Sequence, residues 1–124
     1  MVGELILIVE DNVKNLKLAR DLLQFQGYRT LEAGTAAAAV EAAQRHVPDL
    51  ILMDIGLPDM DGVAALGCLR AAPATAAIPV IALTAYAMPA DRERFRAAGF
   101  DGLVTKPIDI REFTERIRHQ IGDG

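Results

Sequence analysis

Five side chains with metal-binding or catalytic potential lie at the end of a short apolar run of the chain or just after one. They are Glu10, Asp11, Asp54, Thr84 and Lys106. Carboxylates are preferred ligands of Mg²⁺, whereas a hydroxyl and an ammonium group are suited to holding an anion. If these side chains share one site, the combination predicts a place where Mg²⁺ and a phosphate group meet.

The apolar runs alternate with longer segments of helix-like spacing, which is typical of α/β domains. The first, third and fourth runs are almost entirely apolar, as expected for central strands covered on both faces. The second contains Arg29 and Glu32 and fits an edge strand. The pattern predicts a parallel sheet with helices on both sides, and its five strands span residues 5–9, 29–33, 50–53, 80–84 and 102–105.

The intervening segments carry helix signals. Gly27 and Gly99 follow helical patterns at positions that suit a left-handed C-terminal residue. Asp59 and Asp61 lie in the turn that leads to Gly62, and we expect both carboxylates to cap the third helix rather than to bind metal. Cys68 lies on an apolar helix face and is predicted to be a small core residue.

The polar residues should converge, because ligands of open parallel sheets bind beyond the carboxyl ends of the strands, where the strand order reverses. Three carboxylates brought together there would repel one another and raise at least one pKa unless a cation joins them. A Mg²⁺ ion held by carboxylates, a backbone carbonyl and water is the simplest compensation. Thr84 and Lys106 would then be available to bind phosphate.

These residues resemble the receiver domain of two-component response regulators. The resemblance covers nearly the whole chain and implies a flavodoxin-like (βα)5 doubly wound sandwich, with a five-stranded parallel sheet of strand order 2-1-3-4-5. No single motif is decisive, but several occur in the right order. They are IVEDN at residues 8–12, DLILMD at 49–54, LPDMDG at 57–62, LTA at 83–85 and KP at 106–107.

The resemblance implies that Asp54 accepts a phosphoryl group from a phosphohistidine on a sensor histidine kinase or a histidine phosphotransferase. Thr84 and Lys106 would hold the phosphoryl oxygens, and a cis peptide would join Lys106 to Pro107. Phosphorylation would shift the face formed by the fourth helix, fifth strand and fifth helix, and so alter the binding of a downstream regulatory protein. Such a protein is a phosphoacceptor that promotes its own phosphotransfer and dephosphorylation, not an enzyme acting on other substrates.

The resemblance also implies a Mg²⁺ site. Asp11 and Asp54 would bind the ion through their carboxylates, Glu10 through a metal-bound water and Gly56 through its backbone carbonyl. Glycine can fill the last position because a carbonyl ligand needs no side chain.

The resemblance also implies roles for two positions close to Lys106 and Thr84, namely positions 103 and 86. Receivers usually carry an aromatic residue three positions before the lysine, where its rotamer reports phosphorylation, but this chain has Leu103. Tyr86 lies two residues after Thr84, at a position associated in the family with the access of water to the phosphoryl group. We therefore do not expect a tyrosine-based readout at position 103.

Composition narrows the class of protein. A chain of 124 residues with a formal charge of −4 fits one domain and disfavours nucleic acid, which basic patches usually bind. A single cysteine allows no internal disulfide, and no apolar run is long enough for a membrane span. We expect one receiver domain over residues 1–124, with no output domain, located in the cytoplasm without membrane insertion or direct nucleic-acid contact.

Three alternatives stay open. The first is a phosphate sink or shuttle within a phosphorelay, built on the same residues. The second is a Mg²⁺-dependent phosphatase with an aspartate nucleophile, of the haloacid dehalogenase type, which would need an Asp-x-Asp motif after its first strand where this chain has Glu10 and Asp11. The third is a flavodoxin-like nucleotide binder, disfavoured because that acidic pair would repel phosphate.

Overall fold

A computed structural model describes residues 3–85 and 88–121. Strands and helices alternate through these residues, as the sequence pattern predicts. The strands are β1 (Leu5–Val9), β2 (Arg29–Ala33), β3 (Leu50–Asp54), β4 (Val80–Thr84) and β5 (Gly102–Thr105). The helices are α1 (Val13–Phe25), α2 (Ala36–His46), α3 (Gly62–Ala71), α4 (Pro89–Ala98) and α5 (Ile110–Ile121).

All neighbouring strands are parallel, in the order β2-β1-β3-β4-β5. The predicted flavodoxin-like (βα)5 fold is therefore confirmed. The strand order reverses between β1 and β3. From β1 the chain passes to β2 on one side of the sheet, whereas from β3 it passes to β4 and β5 on the other side. The carboxyl ends of β1 and β3 are thus the place where this architecture binds ligands.

Alternate residues of each strand enter two separate cores, since successive side chains of a strand point to opposite faces. Leu7 and Ile51 pack with α2, α3 and α4, whereas Ile6 and Leu50 pack with α1 and α5. Both faces of β1, β3 and β4 are buried, which explains why their sequences are almost continuously apolar.

Glycines end two helices as expected. Gly27 lies just beyond α1 at φ 96°, and Gly99 ends α4 at φ 112°. Asp109 opens α5, where its Oδ1 accepts a hydrogen bond of 2.9 Å from the Glu112 backbone N–H. These local signals fix the connections at both edges of the sheet.

Candidate functional site

The register between β1 and β3 brings two of the predicted site residues, Glu10 and Asp54, together. Val9 of β1 lies opposite Met53 of β3, so the next residue along each strand, Glu10 and Asp54, meet at the sheet edge. Both side chains are buried, at 1% and 3% exposure respectively. Asp11 follows on the solvent side and is exposed.

The other two predicted residues reach the same edge from β4 and β5. Thr84 lies opposite Thr105, and the backbone N–H of Lys106 donates a hydrogen bond of 2.8 Å to the Thr84 carbonyl. The Lys106–Pro107 peptide is cis, as expected. A cleft of about 430 Å³ opens above these strand ends and is lined by Glu10, Asp11, Asn12, Asn15, Asp54, Ile55, Gly56, Thr84, Ala85 and Lys106.

Lys106 is the one cation among the described residues that line this cleft. Its Nζ lies 2.9 Å from Asp54 Oδ1 and 3.2 Å from Glu10 Oε2. Burial lowers the pKa of the Lys106 ammonium, but the hydrogen bond to Asp54 and the charges of Asp54 and Glu10 outweigh burial, so the pKa lies above its ordinary value. Lys106 therefore stays charged at neutral pH.

The negative charge of Glu10 is less well compensated than the positive charge of Lys106. Its Oε1 accepts a hydrogen bond of 3.0 Å from the Asn12 backbone N–H, whereas its buried Oε2 has no hydrogen-bond partner, although Lys106 lies within ion-pair distance. Burial raises the pKa of Glu10, and the neighbouring Asp54 raises it further; the Asn12 N–H and Lys106 act in the opposite direction but do not cancel the rise. A buried carboxylate with an unsatisfied oxygen is costly and favours binding of a cation.

The acidic cluster fits a magnesium ion. One oxygen from each of Glu10, Asp11 and Asp54 can be chosen so that all lie within 4.8 Å of one another. A single ammonium cannot balance three carboxylates, and hard oxygen ligands with open solvent on one side are what Mg²⁺ prefers. The residues present therefore fit the expected ion.

Gly56 lies beside these carboxylates. Its backbone N–H donates a hydrogen bond of 3.1 Å to Asp54 Oδ1. A Cβ at this position would meet nothing closer than that same oxygen, at 4.0 Å. The site therefore does not require glycine for steric reasons, consistent with a backbone group being the one that acts here.

The loop after β3 is held in place by a different glycine. The Gly62 N–H donates to the Ile55 carbonyl at 2.9 Å, and a Cβ on Gly62 would lie only 2.9 Å from Ile55 Cα. This close approach brings the start of α3 against the residue that follows Asp54. A side chain at Gly62 would displace the loop that borders the candidate site.

Two carboxylates of this loop cap helices, but not the same helix. Asp61 Oδ1 accepts from the Ala64 N–H at 2.8 Å and caps α3 as predicted. The prediction for Asp59 is wrong, because its two oxygens accept from the N–H groups of Ala36 and Ala37, at 2.8 and 3.0 Å, at the start of α2. These hydrogen bonds lower the pKa of Asp59 below its ordinary value.

Three further residues with predictions from the sequence are Cys68, Leu103 and Tyr86. The prediction for Cys68 is also wrong, because its side chain is exposed on α3 rather than in the core. Leu103 is buried in the core formed with α2, α3 and α4, so an aliphatic side chain occupies the position for which the resemblance implied an aromatic residue. Tyr86 lies outside the described residues.

Asn12 and Asn15 line the cleft but were not predicted as site residues. Asn12 caps α1, its Oδ1 accepting a hydrogen bond of 3.0 Å from the Asn15 N–H. An asparagine between an acidic pair and a helix is a recognisable N-cap. That signal alone could have placed the first turn of α1 beside the carboxylates.

The chain belongs to the response regulator receiver domain family, whose sequence pattern matches residues 6–118. It is therefore a receiver domain of two-component signalling. It is similar to the polar-differentiation response regulator DivK of Brucella ovis, with 43% identity over 118 residues covering 95% of this chain and 96% of that protein. DivK of Brucella anthropi has the same identity and coverage.

Solved structures agree with this assignment. The receiver domain of the sensor histidine kinase PA1611 from Pseudomonas aeruginosa, which has a magnesium ion in its active-site cleft, is 37% identical with a TM-score of 0.89, covering 98% of this chain and 100% of that one. The chemotaxis response regulator CheY4 of Vibrio cholerae has a TM-score of 0.90 at 23% identity, covering 96% and 99% of the two chains, and supports the fold alone. Within the described residues, every helix is too short or too polar to cross a membrane.

Proposed function

We propose that this chain is a phosphorylation-controlled binding switch in which Asp54 accepts a phosphoryl group from a phosphohistidine. The observation that carries the proposal is the convergence of Glu10, Asp11 and Asp54 on one cleft that Lys106 also lines. The donor is a sensor histidine kinase or a histidine phosphotransferase, and the receiver is a single unit over residues 1–124.

In the transfer, an Asp54 carboxylate oxygen attacks phosphorus, the phosphorus–nitrogen bond breaks, and its electron pair returns to the imidazole. The hydrogen bonds from Gly56 and Lys106 to Oδ1 fix the orientation of the Asp54 carboxylate for this attack. Lys106 and Thr84 then hold the new phosphoryl oxygens, whose group carries about −1.5 to −2 charges.

Magnesium would be held directly by Asp11 and Asp54, through water by Glu10 and by the Gly56 carbonyl, and when bound it would offset the negative charge of the carboxylates and phosphoryl oxygens. Glu10 contributes by its placement: its buried Oε2 has no hydrogen-bond partner in the structure. The PA1611 receiver domain, with magnesium in the corresponding cleft, supports this assignment.

The donor protein needs an apolar surface beside Asp54. From the sequence we expect Leu16 of α1, with Pro107 as a second contact, to form its centre, and a core position for Leu16 is the alternative. Leu16 is only partly exposed and packs against the α1/α5 core, whereas Val13, in the first turn of α1, is 76% exposed. Val13 and Pro107 are therefore the better pair for the docking surface.

The signal leaves through the face formed by α4, β5 and α5, where a downstream regulatory protein binds. Thr84 is the trigger, because its buried hydroxyl can move toward a phosphoryl oxygen and vacate volume behind β4. A phosphate shuttle is the second candidate function, favoured by the similarity to a receiver domain that belongs to a histidine kinase.

Intact-mass measurement with acetyl phosphate and Mg²⁺ tests the proposal. The native protein is expected to gain one phosphoryl group and Asp54→Ala none. Asp59→Asn is the matched control, because it removes an exposed carboxylate from the same loop and should leave phosphorylation unchanged. Phosphorylation of Asp54→Ala at the native level would overturn the assignment. Amide shifts across α4 with beryllofluoride, lost in Thr84→Ala, would favour the switch over the shuttle.

A further inference from the structure

The cleft above the strand ends leaves room for water beside a phosphoryl group. Its volume is about 430 Å³, against roughly 30 Å³ for one molecule of liquid water. Two of the described lining residues do little to narrow it, since Gly56 has no side chain and Ala85 contributes only a methyl group. Several waters therefore fit beside a phosphoryl group on Asp54, and one of them attacks efficiently only if a hydrogen bond orients it.

Most polar side chains that line the cleft already have a role in the proposed function. In the part of the lining that the structure describes, the carboxylates are proposed to hold magnesium or accept the phosphoryl group, and Thr84 and Lys106 to hold its oxygens. Asn12 Oδ1 accepts a hydrogen bond of 3.0 Å from the Asn15 backbone N–H and is committed to the N-cap of α1. The polar side chain that remains is the carboxamide of Asn15.

Asn15 reaches the cleft from the first turn of α1 and is half-buried there. Its backbone N–H is held by Asn12, so the start of the helix places Asn15 in the cleft wall whatever its side chain does. Among the described residues, none exchanges a hydrogen bond with its carboxamide. Because the amide is uncharged, it offers an acceptor oxygen in a cleft with three carboxylates without adding to their repulsion.

We propose that Asn15 Oδ1 accepts a hydrogen bond from the water that hydrolyses the phosphoryl group on Asp54, and thereby shortens the lifetime of the phosphorylated state. The water oxygen attacks phosphorus, the bond between phosphorus and the Asp54 oxygen breaks, and its electron pair returns to the carboxylate. Both hydrogens of the water leave with the product as dihydrogen phosphate, so Asn15 orients the water without taking a proton. The inference rests on the proposed function, because it needs a phosphoryl group on Asp54.

Intact mass followed over time tests this role of Asn15. The full chain is phosphorylated with acetyl phosphate and saturating Mg²⁺, the donor is removed by rapid desalting, and loss of the phosphoryl group is measured. Asn15→Leu keeps the volume of the side chain but neither donates nor accepts, so its rate of loss is expected to fall about three- to tenfold, the worth of one hydrogen bond. Lys14→Leu is the matched control and should lose phosphate at the native rate, because Lys14 is exposed in the same turn and lies outside the described cleft lining.

Asn15→Asp separates the acceptor oxygen from the donor N–H. Aspartate has the same shape and retains an acceptor but has no N–H, so this variant should lose the phosphoryl group at least as fast as the native protein. Mg²⁺ is kept saturating for each variant, so that a change in metal affinity does not enter the rates. Equal slowing of Asn15→Asp and Asn15→Leu would overturn the proposal, because the Nδ2 donor rather than the oxygen would then be the group that acts.

A comparison of gain with loss distinguishes water orientation from a disturbed fold. Acetate, the leaving group of acetyl phosphate, has no hydrogen to donate to Oδ1, so Asn15→Leu should slow the gain of phosphate less than its loss, and the phosphorylated fraction at steady state should rise. Equal slowing of gain and loss would overturn the proposal. If the native protein gains a phosphoryl group that Asn15→Leu loses at the native rate, the role of Asn15 is wrong and the proposed function stands, whereas a native protein that gains none overturns both.

Discussion

The amino ends and the carboxyl ends of the parallel strands form two opposite sides of the sheet, which we call the amino edge and the carboxyl edge. Both concentrate charge, but the charge is compensated differently at each. At the amino edge, Arg70 donates to the carbonyls of Ala76, Ile78 and Gly99 and to Asp101 Oδ2. At the carboxyl edge, three carboxylates lie together but Lys106 pairs with only two of them, Glu10 and Asp54, and a buried oxygen of Glu10 has no hydrogen-bond partner. Charge that is matched within the fold stabilises loops, whereas charge left unmatched favours a ligand.

The largest expected effect is at the amino edge. Arg70→Met should lower the free energy of unfolding by about 2 to 3 kcal/mol, because three carbonyls and Asp101 lose a charged donor. Chemical denaturation measures the change, with Arg45→Met as the control, since Arg45 is exposed and lies 3.9 Å from Glu41. A loss no greater than that of the control would show that the Arg70 hydrogen bonds add little stability.

Metal affinity should respond only to the carboxyl edge. Asp11→Asn is expected to weaken Mg²⁺ binding at least about tenfold, because it removes the carboxylate that we propose as a direct ligand, and Glu10→Gln should weaken it less. Titration followed by amide shifts measures both, with Arg70→Met as a variant that should keep native affinity. Unchanged affinity in Asp11→Asn would place the ion elsewhere.

A smaller effect, of opposite sign to that of Arg70→Met, is expected for stability without metal. Glu10→Gln should raise the free energy of unfolding by about 1 kcal/mol, since it removes a buried charge beside Asp54 while retaining an oxygen for the Asn12 N–H. The gain should disappear when Mg²⁺ saturates the native protein, because the ion stabilises the folded state that binds it. Equal or lower stability of Glu10→Gln without Mg²⁺ would mean that Lys106 already compensates Glu10.

The alternation of apolar runs with helix-like segments predicted a parallel sheet covered by helices, because each buried strand had to be apolar on both faces, whereas the strand order 2-1-3-4-5 came from the family resemblance. The site followed from the same reasoning, since parallel strands end together and the polar residues after them must meet. Their roles in phosphotransfer stay predictions.

Contacts between distant segments could not be predicted in this way. Asp59 caps α2, twenty-three residues before it, and no local spacing signals that hydrogen bond. The C-cap of helix α2 is Val47, a branched residue at φ 45° where glycine is the usual signal. Cys68 was misplaced because α3 is apolar over much of its surface, so that its sequence does not distinguish the buried face from the exposed one.

Asp59 gives the smallest effect and the sharpest test of the comparison, because it is a carboxyl-edge charge that the fold does match. Its pKa is held below the ordinary value of 3.8 by hydrogen bonds from Ala36 and Ala37. The ionised form therefore contributes stability above pH 3.8, and the contribution is lost as the pH falls through the lower pKa of the folded state.

Asp59→Asn should be less stable than the native protein at pH 7 and should approach it in acid, with Mg²⁺ affinity unchanged. Thermal unfolding from pH 2 to pH 7 measures this convergence, with Glu41→Gln as a control that removes a carboxylate from the exposed face of α2. A stability difference that stayed constant with pH would mean that the Asp59 charge does not act on α2, and a loss of Mg²⁺ affinity would place Asp59 with the unmatched carboxylates.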